Sequence, residues 1–294
     1  MKMKLTLAWL FALLVASASA QNNELVKIAS LPAKLHESSG LEYTPDGTIW
    51  TIVDSNHATL FGLDSTGTMV KAIHLNNLNK GWEDLSKDDE GNFYIGDFGN
   101  NSNDRKNLKI YKIPDPSQIQ ESIVTAEIIN FSYPDQKSFP PPADQLNFDM
   151  DAMVCLNDSI FLFSKNRTKP YTGYSKVYRL PNKPGTHIAE LIDSIYLGPG
   201  TMLETWITGA ALSPDKSMLM LLTHDKLYVF HCFIGSKFFS GRKSVIKLHH
   251  YSQKEGIVFR NNNILYLTDE KTANILGGNL YMLKFDSEAF VDCY

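Results

Sequence analysis

An excess of positive charge is missing from these 294 residues: 28 Lys and Arg stand against 32 Asp and Glu, a formal net charge of −4. That balance argues against a nucleic-acid binder, which needs a basic surface to hold a phosphate backbone. Cysteine is scarce as well, with only Cys155, Cys232 and Cys293. At least one thiol is left unpaired, so disulfides are not expected to hold the fold. Cys155 and Cys232 lie in apolar, strand-like runs and read as plain buried thiols. Beyond residue 20 no hydrophobic run is long enough to span a bilayer, and no segment longer than one turn shows helical periodicity. There is no Cys/His cluster with zinc spacing, no G-x-S-x-G and no Gly-rich phosphate loop. Ordinary serine-esterase and nucleotide chemistry therefore have no support.

What is present begins with a targeting signal. Lys2 and Lys4 precede an apolar run from Leu5 to Ala16, and Ser17, Ala18, Ser19 and Ala20 end it just before Gln21. Residues 1–20 read as a secretory signal peptide with no lipid-bearing Cys after it, and residues 21–294 as one domain, secreted or periplasmic.

Short runs rich in Val, Ile, Leu, Tyr and Phe recur along the rest of the chain, separated by turn signals. They line up as a unit repeated five times. Its starts are Glu37, Glu83, Asp151, Thr208 and Glu255, at intervals of 46, 68, 57 and 47 residues. Each start opens a small-residue strand, a tight turn follows, and second strands read TIWTIVD, NFYIGDF, SIFLFSK, SMLMLLTH and ILYLTDE. Third and fourth strands follow in four units, but the fifth has no fourth strand, and ELVKIASL (Glu24 to Leu31) belongs to no other unit. The fold expected is an all-β, five-bladed β-propeller with four-stranded blades, the last closed by the N-terminal strand. A six-bladed count with one degenerate blade hidden in a long interval is the alternative, and a pair of β-sandwiches a more distant one.

In such a blade the first turn lies on one face, while the second-to-third connection and the crossover to the next blade lie on the other. The first turns are tight; the opposite face carries long loops at 98–107, 165–174 and 270–278, and an entry loop at 134–148 placed to act as a lid. Long loops usually carry function. The strand starts Glu37, Glu83, Asp151, Thr208 and Glu255, and the second-strand ends Asp54, Asp97, Lys165, His224 and Asp269, are expected to meet there, with Asp84, Asp149 and Glu270 nearby. Crowded carboxylates need compensation: a cation, shifted pKa values, or pairing with Lys165 and His224. A divalent cation suits oxygen donors, calcium above all, with Glu37, Asp54, Glu83, Asp97, Asp151, Glu255 and Asp269 as candidate metal ligands. Asn100, Asp149, Thr208 and Glu270 are candidate ligand-binding positions. Any one of these acids also fits a plainer role, bonding the backbone of a neighbouring blade.

The segments ESSGL, VDSN, WEDLS, YIGDFGNN, IYKIPDP, DMDAM, KVYRLP and TGAALSPD together resemble a family of exported bacterial β-propeller proteins of poorly characterised function, itself similar to NHL-type, strictosidine-synthase-like and phytase-like propellers. The resemblance covers nearly the whole chain after the signal segment and is most specific from Trp82 to Pro116. Its motif positions match Glu37, Asp54, Glu83, Asp97, Asn100, Asp149 and Asp151; the family often has Glu in place of Asp151 and Asp in place of Asn101. What the resemblance implies is a propeller with a metal site. It does not carry an activity with it.

Two functional classes follow. One is a secreted binding or interaction module, a monomer with no membrane span, that takes a small-molecule, glycan or protein ligand at the mouth. The other is a metal-dependent hydrolase of a phosphoester, lactone or ester, with His224 as base and Lys165 stabilising developing charge. The shortage of Arg and Lys at the mouth, only Lys165 with Arg105 and Arg167 on loops, weighs against the phosphoester form.

Overall fold

In the computed structural model residues 23–54, 57–273, 275–290 and 293 are described; the signal segment read over residues 1–20 lies outside them. Five sheets follow one another along the chain. Blade 1 runs outward through Ser38–Tyr43, Ile49–Val53, Thr59–Leu63 and Met69–Leu75, and blade 2 through Trp82–Lys87, Phe93–Asp97, Lys109–Ile113 and Glu127–Ser132. Blade 3 is Met150–Leu156, Ser159–Ser164, Tyr174–Pro181 and Glu190–Tyr196, and blade 4 is Gly209–Leu212, Met218–Leu222, Lys226–His231 and Arg242–Lys247. Blade 5 supplies Lys254–Asn261, Ile264–Asp269 and Asn279–Lys284, and Leu25–Ser30 pairs antiparallel with the last of these. The molecule is a five-bladed β-propeller closed by its N-terminal strand.

The second strands are nearly continuous apolar runs because each blade is covered on both faces. Along Ile49–Val53, Trp50 and Ile52 face blade 2 and pack with Trp82, Phe93, Ile95 and Tyr111, while Ile49 and Val53 face blade 5 with Val258 and Tyr266. The same alternation fills the interfaces of blades 2 and 3, 3 and 4, and 4 and 5, so five buried clusters occupy the five interfaces. With period two and both sides buried, every position in such a strand must be apolar or small.

The inner strands form a ring, each touching the next and the fifth touching the first. Small side chains set that contact. A Cβ on Gly40, whose φ is +61°, would stand 2.6 Å from the backbone nitrogen of Leu85, so only glycine lets blades 1 and 2 approach there. Bolts cross between blades: Ser39 Oγ donates to the Glu83 carbonyl at 2.5 Å, and Thr208 Oγ1 to the Lys254 carbonyl at 2.5 Å. Asp84 Oδ2 accepts the Met153 N–H at 2.7 Å, the plainer role open to an acid at a strand start.

Several features depart from expectation. Blades 1 and 2 each carry a fifth strand, Ile123–Val124 and Gly185–Ile188, laid parallel on their outer edges. Each comes from the connection between the third and fourth strands of the following blade and covers an edge that would otherwise be open. Cys155 is a buried thiol, as read, but Cys232 is bonded to Cys293. Cys232 lies just past the third strand of blade 4, and a short 3-10 turn at Ser287–Phe290 precedes Cys293. Pairing by sequence position alone misses that contact. Among the described residues none from the 134–148 loop lines the axial cavity. That loop is fastened to blade 2 through Gln136 to the Asn103 carbonyl at 2.8 Å and Phe148 N–H to Asn103 Oδ1 at 2.7 Å, and to blade 3 through the Lys169 N–H to the Ala143 carbonyl at 2.8 Å.

Candidate functional site

In blades 2, 3 and 5 the pairing of inner and second strands slips by one residue, at Glu83, Asp151 and Glu255. A bulge takes one residue out of the ladder and re-aims its side chain. Each time that residue is a carboxylate, and all three line a cavity of about 220 Å3 at the axis on the long-loop face. Blade 1 slips at Gly40 instead, and the inner strand of blade 4 pairs without a slip. Glu37 and Thr208, expected as equivalents, are accordingly absent from the cavity wall. Glu37 is exposed and its carbonyl accepts the Asp54 N–H at 3.2 Å, while Thr208 is the buried bolt to blade 5.

The ends of the second strands divide in the same way. Asp54, Lys165 and His224 line the cavity, and so does Glu270, just past the second strand of blade 5. Asp97 and Asp269 do not, because each holds a tyrosine of the third strand inside its own blade. Asp97 accepts from Tyr111 Oη at 3.3 Å and from Arg105 Nη2 at 2.9 Å. Asp269 accepts from Tyr281 Oη at 2.7 Å and from the Asn279 N–H at 2.8 Å. Asn100 and Asp149 form a layer behind the wall: the Asn100 N–H donates to Asp149 Oδ1 at 2.8 Å, and Asp149 Oδ2 pairs with Arg167.

Five carboxylates thus face two cations. Lys165 is ion-paired with Asp151, and its ammonium lies 5.4 Å from the Trp206 ring centre; the Arg167 guanidinium is 4.6 Å from the same ring. Asp54, Glu83, Glu255 and Glu270 enter no ion pair among the described residues. Glu83 is the extreme case. It is 9% exposed, its carboxylate has no hydrogen-bond partner among the described residues, and a Cβ on Gly99 would come within 1.7 Å of its Oε1.

Burial and crowding raise the acids together. Burial, then Asp151 and Asp54, holds Glu83 well above the ordinary range. Burial pushes Asp151 to about 7 even though Lys165 pulls the other way, and raises Glu255 to about 7. Glu270 reaches about 8 through burial and then Glu255, and Asp54 rises through burial and then Glu37. Burial opposes the charge of Lys165, but Asp151 and Glu255 outweigh it and hold this lysine above its usual value. His224 is lowered to about 4 by burial and then by Lys165 and Lys254. It is neutral at physiological pH.

Trp206, Gln253 and Leu203 also line the cavity and were not singled out from sequence. The first two stand just before the inner strands of blades 4 and 5, on the crossovers of the long-loop face. A search of every crossover, not only the long one at 134–148, finds them. Gln253 donates to Glu270 Oε2. A second cavity of about 730 Å3 adjoins the first, sharing Leu203, His224, Gln253 and Glu270 and extending along His250, Tyr251 and Tyr281. Beneath it the buried Lys254 donates to the carbonyls of His224 at 3.0 Å and His250 at 2.7 Å, and to Ser252 Oγ at 2.9 Å. That lysine fixes the shared wall.

Among the described residues no three His, Cys, Asp or Glu side chains gather closely enough to hold a metal ion. No helix among them is long and apolar enough to cross a membrane.

No family model matches the chain, and no curated protein matches it. Solved structures match in fold. The PQQ-bound aldose sugar dehydrogenase of Streptomyces coelicolor aligns over 90% of this chain and 98% of its own at 10% identity, with a TM-score of 0.55. Virginiamycin B lyase of Staphylococcus aureus aligns over 87% and 69% at 14% identity, TM-score 0.41. The Cps50 (Swd1) β-propeller domain of Myceliophteria thermophila aligns over 89% and 100% at 9% identity, TM-score 0.45. At such identities the likeness concerns the fold alone.

Proposed function

We propose that this is an exported binding protein of the resembled propeller family, whose axial mouth takes up positive charge carried by its ligand. One observation supports this above the others: among the described residues, four carboxylates without an ion pair, one of them Glu83 with no hydrogen bond, surround a cavity lined by Lys165 and Arg167 as its only cations. Burial drives these acids toward their neutral form unless a partner charge compensates them, so a cation entering the mouth meets carboxylates that give up their protons to hold it. The Cys232–Cys293 bond suits an oxidising compartment.

Calcium is the simplest such cation, and Glu83, Glu255, Asp54 and Glu270 would hold it after drawing inward, since the side chains stand too far apart to enclose an ion as they are. The expected result is a melting temperature that rises with calcium and falls with a chelator, and a rise that disappears in the Glu83→Gln, Glu255→Gln double variant. A melting curve indifferent to calcium in the unaltered protein removes this ion from the proposal. The hydrolase alternative gains no specific observation: Lys165 is engaged by Asp151, and a histidine lowered to about 4 is a weak base near neutral pH.

A further inference from the structure

The cavity on the axis and the larger one beside it share Leu203, His224, Gln253 and Glu270 in their walls, and the two have opposite characters. The first is a small acidic well. The second is a roomy cleft with aromatic walls at His250, Tyr251 and Tyr281, and Tyr251 is 59% exposed with its ring edge-on to His224 at 5.7 Å. A bare ion has no use for the second space.

The well also shows which cation chemistry it accepts. Lys165 already seats a primary ammonium against Asp151, with Glu255, Asp149 and Glu83 adding to the attraction. Glu83, nine-tenths buried and lining the same well, has neither a hydrogen-bond donor nor an ion pair among the described residues. A calcium ion needs six or more oxygens at about 2.4 Å, hence nearly touching one another. An ammonium reaches acceptors at about 2.8 Å through three separately directed N–H groups and tolerates a wider nest.

Building on the cation-binding reading above, we propose that the ligand is an organic primary ammonium compound, its charged end held by Glu83 and Glu255 in the axial well and its uncharged aromatic body lying in the adjoining cleft along Tyr251 and His250. Glu270 and Gln253 stand at the junction and bridge the two parts. His224, held neutral, adds no repulsion to the incoming charge.

Titration calorimetry with phenethylammonium tests this, with 2-phenylethanol as the uncharged molecule of the same shape, methylammonium as the charge without a body, and calcium chloride as the bare ion. Phenethylammonium is expected to bind at least tenfold more tightly than either 2-phenylethanol or methylammonium. Glu83→Gln, and separately Glu255→Gln as a second variant should the first fail to fold, weakens phenethylammonium at least tenfold. Tyr251→Ala weakens phenethylammonium while leaving methylammonium unchanged. Equal binding of amine and alcohol, or full binding by a folded Glu83→Gln, overturns the proposal. A response to calcium with silence toward phenethylammonium also overturns it, yet leaves the cation-binding mouth standing. Silence toward every cation removes both.

Discussion

Each carboxylate at the mouth carries a cost that its neighbours set. Asp151 and Glu255 at about 7 and Glu270 at about 8 all lie above their ordinary values of 3.8 and 4.5. A raised acid binds more protons folded than unfolded, so its contribution is complete below the unfolded value and is lost as pH climbs through the folded one. The lowered histidines, His36, His224, His231 and His250, act in the opposite sense, but only below 6.5. Between pH 6.5 and 7.5 the acids are therefore left to decide the slope, and the melting temperature is expected to fall there, before Lys254, lowered to about 8 by burial, begins to act in the opposite sense. Glu270→Gln should flatten the decline in a pH series of melting curves; an unaltered slope would show that Glu270 titrates normally. These residues were legible as acids on one face. Which of them meet was not, because Glu37, Asp97 and Asp269 are set apart from Glu83, Asp151 and Glu255 by pairing register and local hydrogen bonds.

At the scale of elements, the strands were the most readable part. Their period-two burial on both faces demands runs such as Met218–Leu222 and Phe93–Asp97, and such runs are visible in the letters. The orphan segment near the N-terminus is likewise found as Leu25–Ser30 on the edge of blade 5. Deleting residues 23–31 removes that strand and Leu31 from the cluster between blades 5 and 1. It leaves Asn279–Lys284 as a bare edge, so the truncated protein should lose cooperative unfolding and form larger species in light scattering. A monomeric truncation with an unchanged melting curve would mean the strand is dispensable. The outer strands Ile123–Val124 and Gly185–Ile188 escaped notice because they are short, add in parallel and draw on loops with no alternating pattern.

For the molecule as a whole, closure of the ring and the Cys232–Cys293 bond act on the same end of the chain. The bond spans 61 residues, and constraining a loop of that size in the unfolded chain stabilises the fold by about 4 kcal/mol in the chain-entropy model. Cys293→Ser should lower the denaturant midpoint and steepen the transition, because the opened unfolded chain exposes more surface; an unmoved midpoint would deny the bond a role in stability. Composition, strand pattern and repeat length were enough to determine the class and to favour five blades over six, since both follow from local periodicity and the need to cover both sides of a blade; the structure settled the count. Only the tertiary structure decided which acids share the axial well, that Lys165 is spent on Asp151, and which two of three thiols join. Those outcomes depend on single-residue slips in strand pairing and on contacts between residues tens of positions apart, and neither leaves a periodic trace along the chain.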